Sequence, residues 1–191
     1  NEEKTAFDSD LSSLKDIPVF QKLYAELEES PERYSIQFGK TTYLDEHYVE
    51  GQFVPSKEGG GSITFLSGKQ INSSVAAEEF FHAYQHHNRN SYADGEFNRE
   101  FEAKTFVTLL VEHIGVGAFN GMSDFQQNIM SGIYGTNNHN SLVLYNSTFE
   151  RDYLKYANIY ADYNRTNNVG NYNYQRNTLI PPFSLRRLFN F

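Results

Sequence analysis

The spacing of apolar residues changes along the chain, and the changes predict the order of helices and strands. Apolar residues recur every three or four positions over residues 16–27, which predicts a short helix that Pro31 ends. The period then falls to two, which indicates strands at residues 34–38, 43–54 and 63–66. Helical spacing returns in the second half, at residues 75–88 and 97–114, and more weakly at 123–131 and 149–163.

The two ends of the chain differ in composition from this body. Residues 1–15 are polar and acidic, and we expect them to be flexible. Residues 165–191 are rich in Asn and Tyr, and we expect them to pack on the domain as a tail. No internal repeat divides the chain. The sequence therefore predicts one α+β domain over residues 1–191, in which a small, mostly antiparallel sheet precedes a helical half.

The composition argues against several classes of protein. The 191 residues carry a formal net charge of −8 and include 14 tyrosines, 16 phenylalanines and no cysteine. The lack of cysteine excludes disulfides, cysteine-ligated metal centres and a thiol nucleophile. An acidic surface argues against nucleic acid as a partner. No stretch approaches the roughly 20 apolar residues of a transmembrane helix, so no transmembrane segment is predicted.

Ionisable side chains form a stripe along the helix predicted at residues 75–88. Glu78, Glu79, His82 and His86 share an arc of about 100°, the width of one helix face, while aromatic residues occupy the other sides. Burying carboxylates and imidazoles is costly unless they are paired or hold a metal ion. The pattern is typical of a metal site, with a solvated charged face as the other interpretation.

The sequence around this stripe resembles that of a known family. Residues 78–82 read Glu-Glu-Phe-Phe-His, which is similar to the HExxH motif of zincins with its first histidine replaced by glutamate. Two segments resemble those of bacterial gluzincin-like metallopeptidases: Glu79-Phe-Phe-His-Ala-Tyr-Gln85 and, downstream, Glu100-Phe-Glu-Ala103. The resemblance covers roughly residues 61–110. It implies a zincin-like fold with a metal site between two central helices.

The resemblance also implies roles for individual residues. Glu78 and His82 would ligate zinc from the first helix, with Glu79 as the general base. Glu102 would be the ligand from the second helix, with Glu100 and His86 as alternatives. Two carboxylate ligands make an ion less Lewis acidic and favour harder ions, so another divalent ion, or none, is the alternative to zinc.

These observations predict a metallopeptidase-type hydrolase that acts on a peptide or protein. The alternative is a catalytically inactive zincin-fold protein that serves as a cell-envelope binding or structural module, with the tyrosine-rich region after Tyr153 as a further candidate surface. His113 and His139 are weaker candidates for stabilising an oxyanion. Because the chain begins at Asn1 rather than Met, we expect an exported, periplasmic or cell-surface bacterial protein. The sequence leaves the oligomeric state open.

Overall fold

A small sheet and the helices packed beside it form the architecture, which is α+β as the sequence predicts. The computed structural model describes residues 2–44, 47–88, 95–115, 118–119, 148–167 and 181–189. Its helices are α1 (Glu2–Lys15), α2 (Pro18–Glu28), α3 (Ser73–His87), α4 (Glu96–Leu109), α5 (Val111–Ile114), α6 (Thr148–Asn167) and α7 (Phe183–Phe189). Its strands are β1 (Tyr34–Gly39), β2 (Tyr43–Leu44), β3 (His47–Tyr48), β4 (Gly51–Pro55) and β5 (Gly61–Leu66). The helix predicted at residues 123–131 lies outside the described residues.

The three-stranded sheet is mixed rather than mostly antiparallel, because its central strand, β5, has one parallel and one antiparallel neighbour. Strand β5 pairs in parallel with β1, with Ile63 opposite Ile36, and antiparallel with β4, with Ile63 opposite Phe53. Strands β2 and β3 form a separate antiparallel pair. The single strand predicted over residues 43–54 is therefore three short strands. The last of them, β4, lies at an edge of the sheet.

Helix α1 occupies the segment that the sequence analysis expected to be flexible. Phe7, Leu11 and Leu14 are spaced as one helical face, and all three are buried. The ring of Phe7 lies 5.2 Å from that of Phe65 and 5.8 Å from that of Phe38, measured between centroids. The polar residues between these positions lie on the outer face. The polar composition of the segment therefore concealed an amphipathic helix.

Helices α3 and α4 pack against each other through aromatic side chains. Asn72 caps α3, because its side chain accepts a hydrogen bond from the backbone N–H of Ser74 at 2.9 Å. Farther along, the ring of Phe81 stacks on that of Phe106 with centroids 4.5 Å apart. The helix predicted at residues 97–114 is interrupted at Leu110, the C-cap of α4. The apolar contact sets the two helices side by side, so that their polar faces meet.

The described end of the chain packs on the helices. Leu185 and Leu188 of α7 are buried, and Lys22 of α2 donates a hydrogen bond from Nζ to the carbonyl of Leu188 at 2.6 Å. On α6, Tyr153 and Tyr160 are also buried, which indicates a packing role for these two tyrosines rather than an open groove. Residues 168–180 of the tail lie outside the described part. No described helix is both long and apolar enough to cross a lipid bilayer.

Strand β4 approaches helix α3 closely at Gly51. A Cβ atom at this position would lie 2.6 Å from Cγ1 of Val75 and 2.9 Å from Cγ of Glu79. Contacts shorter than 3.0 Å are essentially never seen for Cβ atoms. Glycine therefore lets the edge strand lie directly against the ionisable stripe of α3.

We expect Gly51→Ala to lower the free energy of unfolding by about 1–3 kcal/mol, because the added methyl group pushes β4 away from α3. Gly39→Ala is the matched control, since nothing lies within 4 Å of a Cβ built there. It should change stability by less than about 0.5 kcal/mol. Urea unfolding followed by circular dichroism measures both. Equal losses in the two variants would contradict the close approach at Gly51.

Candidate metal centre

Three ionisable side chains from α3 and α4 converge on one small volume, which we call the carboxylate–histidine cluster. Glu78 and His82 lie one turn apart on α3, and Glu100 reaches them from the first turns of α4. One ligand atom from each of the three lies within 4.8 Å of the others. His82 Nε2 is 3.4 Å from Glu100 Oε1, and the two side chains are 12% and 21% exposed. The cluster is thus sheltered but open to small solutes.

Glu102, the ligand that the resemblance implied on the second helix, does not belong to this cluster. Its carboxylate is buried and accepts hydrogen bonds from Gln85 Nε2 and from the backbone N–H of Leu185, both at 2.9 Å. Residues two apart on a helix point about 200° apart, so Glu100 and Glu102 cannot both face α3 in the same way. Glu100, the alternative, takes the position in the cluster. Glu102 is a buried structural carboxylate that links α4 to α3 and α7.

Gln85 fixes the orientation of the His82 ring. The amide nitrogen of Gln85 donates to Glu102 and to the backbone carbonyl of Arg99, at 2.9 and 3.1 Å. Both partners are acceptors, so the amide oxygen of Gln85 must face His82 Nδ1, which lies 2.8 Å away and donates to it. His82 Nε2 is left directed at the cluster. Metal-binding histidines are oriented in this manner by a partner of the second ring nitrogen.

The contribution of Gln85 was missed in the sequence analysis. The available signal was its position three residues after His82, which places the two side chains as neighbours on one helix face. Its other partner, Glu102, is 17 residues away in the sequence, and spacing alone does not indicate such a contact.

Glu79, the predicted general base, lies between the cluster and the edge strand. Its carboxylate accepts a hydrogen bond from the backbone N–H of Phe53 in β4. Burial raises the pKa of Glu79 to about 7, although the neighbouring His82 ring lowers it. A carboxyl group with a pKa near neutrality both accepts and releases a proton under ordinary conditions, as general acid–base catalysis requires.

His82 and Glu100 form an ion pair. Burial alone would lower the pKa of His82, but the carboxylate of Glu100, followed by those of Glu79 and Glu78, raises it to about 10. Burial would raise the pKa of Glu100, but the adjacent His82 holds it at about 2. A metal ion that binds His82 Nε2 must therefore displace a proton from the ring.

Lys104 adds a second positive charge beside the cluster, and the sequence analysis did not identify it. Its Nζ lies 2.8 Å from Glu78 Oε1, and each of these side chains is 18% exposed. Burial would lower the pKa of Lys104, but the carboxylates of Glu78 and Glu100 raise it. The sequence signal was its position four residues after Glu100, on the same face of α4.

The side chains of His86, His87 and His113 do not belong to the cluster. His86, the alternative ligand on α3, lies against β4, with its ring centroid 5.7 Å from that of Phe53. His87 Nδ1 is 3.3 Å from Ser30 Oγ. His113 is exposed on α5, and His139 lies outside the described residues. Within the described ranges, Glu78, His82 and Glu100 are the group whose spacing suits a metal ion.

The donor set fits a divalent ion of borderline character. Zinc accepts one imidazole nitrogen and two carboxylate oxygens as ligands. Other first-row divalent ions also accept this set, because its oxygen donors outnumber its nitrogen donor. Comparison with family models, curated proteins and solved structures gave no match to this chain. The residues of the cluster and their geometry are therefore the features that indicate a metal centre.

The two glutamates of α4 should behave differently in the metal-free protein. Glu102→Ala leaves two buried N–H groups without their acceptor, so we expect the free energy of unfolding to fall by about 2–4 kcal/mol. Glu100→Ala removes a mostly buried ion pair, but the imidazole of His82 can release its proton and stay uncharged, so the loss should be smaller, about 1–2 kcal/mol. Urea unfolding in the presence of a chelator measures both values. A larger loss for Glu100→Ala would contradict these assignments.

Proposed function

We propose that the protein binds a divalent metal ion through Glu78, His82 and Glu100 and acts as a zincin-like metallohydrolase on peptide bonds. The observation that carries the proposal is the convergence of three ligand atoms within 4.8 Å, from two different helices, α3 and α4. The orientation of His82 Nε2 toward the cluster supports it. Zinc is the ion we expect, because the imidazole nitrogen favours it over ions that prefer all-oxygen sites.

A bound divalent ion supplies Lewis acidity, which polarises a carbonyl group and makes water more acidic. The protein's own part in the chemistry is to move a proton. Glu79 is suited to accept one, because its pKa of about 7 lies near neutral pH and its carboxylate is held by the Phe53 N–H. Gln85 keeps His82 oriented while the charge of the cluster changes.

The position of β4 supports a peptide as the substrate class. This strand lies at the edge of the sheet and runs past Glu79, with Gly51 in close approach to α3. Edge strands bind extended peptides by adding them to the sheet, which would place a peptide bond beside the carboxylate of Glu79.

A non-catalytic protein of the same architecture is the second candidate function. The ion pair between Lys104 and Glu78 favours it, because an ammonium group already neutralises one of the two carboxylates of the cluster. In such a protein the cluster stabilises the contact between α3 and α4 without an ion. Metal binding separates the two candidates.

We expect the purified protein, incubated with zinc and desalted, to retain about one equivalent of metal. His82→Ala should abolish retention, because it removes one of three protein ligands and the only nitrogen among them. His113→Ala is the matched control, since this histidine is exposed on α5 and should leave zinc content unchanged. Elemental analysis gives the readout. Equal zinc in wild type and His82→Ala would rule out this ligand set.

Glu79→Gln should separate catalysis from metal binding. The amide keeps the shape of the side chain but cannot accept a proton, so hydrolysis should fall by about 10²–10⁴-fold while zinc content is unchanged. Turnover of a mixed peptide library, followed by mass spectrometry, measures the effect. Cleavage that persists in Glu79→Gln would show that this carboxylate is not the base. Tight zinc binding without cleavage in wild type would favour the non-catalytic candidate.

A further inference from the structure

We propose that Lys104 is a built-in counter-cation of the carboxylate–histidine cluster, which a divalent ion must displace from Glu78 in order to bind. This inference rests on the proposed function, because it concerns how the same site is regulated. It predicts that removing a positive side chain next to the site tightens metal binding while weakening the metal-free fold. The resemblance to zincins does not imply this property, because it assigns no role to a residue at position 104.

The geometry places Lys104 in direct competition with an ion. Its Nζ is 2.8 Å from Glu78 Oε1, which is a close charge-assisted hydrogen bond. Glu78 is also one of the three groups whose ligand atoms lie within 4.8 Å of one another. An ion held by that carboxylate would therefore lie only a few ångströms from the ammonium group. Two cations at such a separation repel each other strongly in a partly buried site.

Each carboxylate of the cluster has a basic side chain beside it. Lys104 contacts Glu78, and His82 contacts Glu100. These contacts explain how two carboxylates can meet between packed helices in the metal-free protein. A divalent ion held by the same carboxylates would compete with Lys104 for Glu78.

Lys104 has a route out of the site. Its side chain is 18% exposed, and a lysine side chain carries its charge at the end of four flexible carbons. The ammonium group can move to solvent while the stem stays packed on α4. Glu102, also on α4, has no such freedom, because it is only 4% exposed.

The decisive comparison uses Lys104→Met, which keeps the unbranched stem of the side chain and removes its charged end. Zinc affinity is measured by competition with a chelating dye, at one fixed pH, on protein stripped of metal. Two variants are controls. Lys104→Arg keeps the charge at this position. Lys69→Met removes a lysine from an exposed ion pair, in which the side chains of Lys69 and Glu50 are 59% and 49% exposed. We expect Lys104→Met to bind zinc about 10–100-fold more tightly than wild type, with both controls near the wild-type value.

Stability gives a second readout of opposite sign. Without metal, Lys104→Met leaves Glu78 unpaired beside Glu100, so its unfolding midpoint in urea should be lower than that of wild type. Saturating zinc should restore it, because binding to the folded state alone stabilises that state. A lysine with a purely structural role would lower stability without tightening zinc. If Lys104→Met does not fold, Lys104→Gln serves for both measurements, because its amide can still donate a hydrogen bond to Glu78.

Each outcome decides the inference. Zinc binding in wild type with no gain in Lys104→Met overturns the role of Lys104 and leaves the proposed metal centre in place. Zinc binding in Lys104→Met alone supports the inference and identifies the wild-type protein as the non-catalytic candidate. No zinc binding in any variant overturns both proposals. Equal tightening in Lys69→Met would reduce the effect to net charge and would also overturn the inference.

Discussion

Carboxylates packed between α3 and its neighbours must be paired, because an ionised group without a partner is costly to bury. Four glutamates meet this requirement in different ways. The partners are Lys104 for Glu78, the Phe53 N–H for Glu79, His82 for Glu100, and Gln85 with the Leu185 N–H for Glu102. The two pairs with charged side chains are partly exposed and include the three groups that could hold an ion. Glu102 links α4 to the C-terminal helix α7. The candidate site and the fold therefore depend on neighbouring acids of the same two helices.

Much of the local structure could be predicted from the sequence, because short-range periodicity determines it. The spacing of apolar residues predicted α3, the start of α4 and the strands β1 and β5. It did not predict that β5 lies between β1 and β4, since pairing across the sheet depends on contacts between distant residues. Helix α1 was not predicted although Phe7, Leu11 and Leu14 have helical spacing, because polar and acidic residues outnumber these three apolar residues in the segment.

The sequence predicts two members of the carboxylate–histidine cluster and leaves the third open between Glu100 and Glu102. Glu78 and His82 follow from the geometry of a single helix, in which residues four apart share a face. The choice between Glu100 and Glu102 depends on how α4 is rotated about its axis, which the stacking of Phe106 on Phe81 determines. The partner that holds Glu102 in its buried position, the N–H of Leu185, lies 83 residues farther along the chain. No pattern within one helix contains that information.

The glutamate at position 78 and the lysine at position 104 are best understood as one feature. In an HExxH motif the first position is a neutral histidine, and a lysine at 104 would then lack the carboxylate that lies closest to it in this protein. With Glu78 in its place, the carboxylate at 2.8 Å compensates the ammonium group. Changing Glu78 alone toward the histidine of the motif would leave Lys104 partly buried and without this partner. The glutamate that replaces the first histidine of the motif is therefore coupled to Lys104, and the effect of changing Glu78 depends on that lysine.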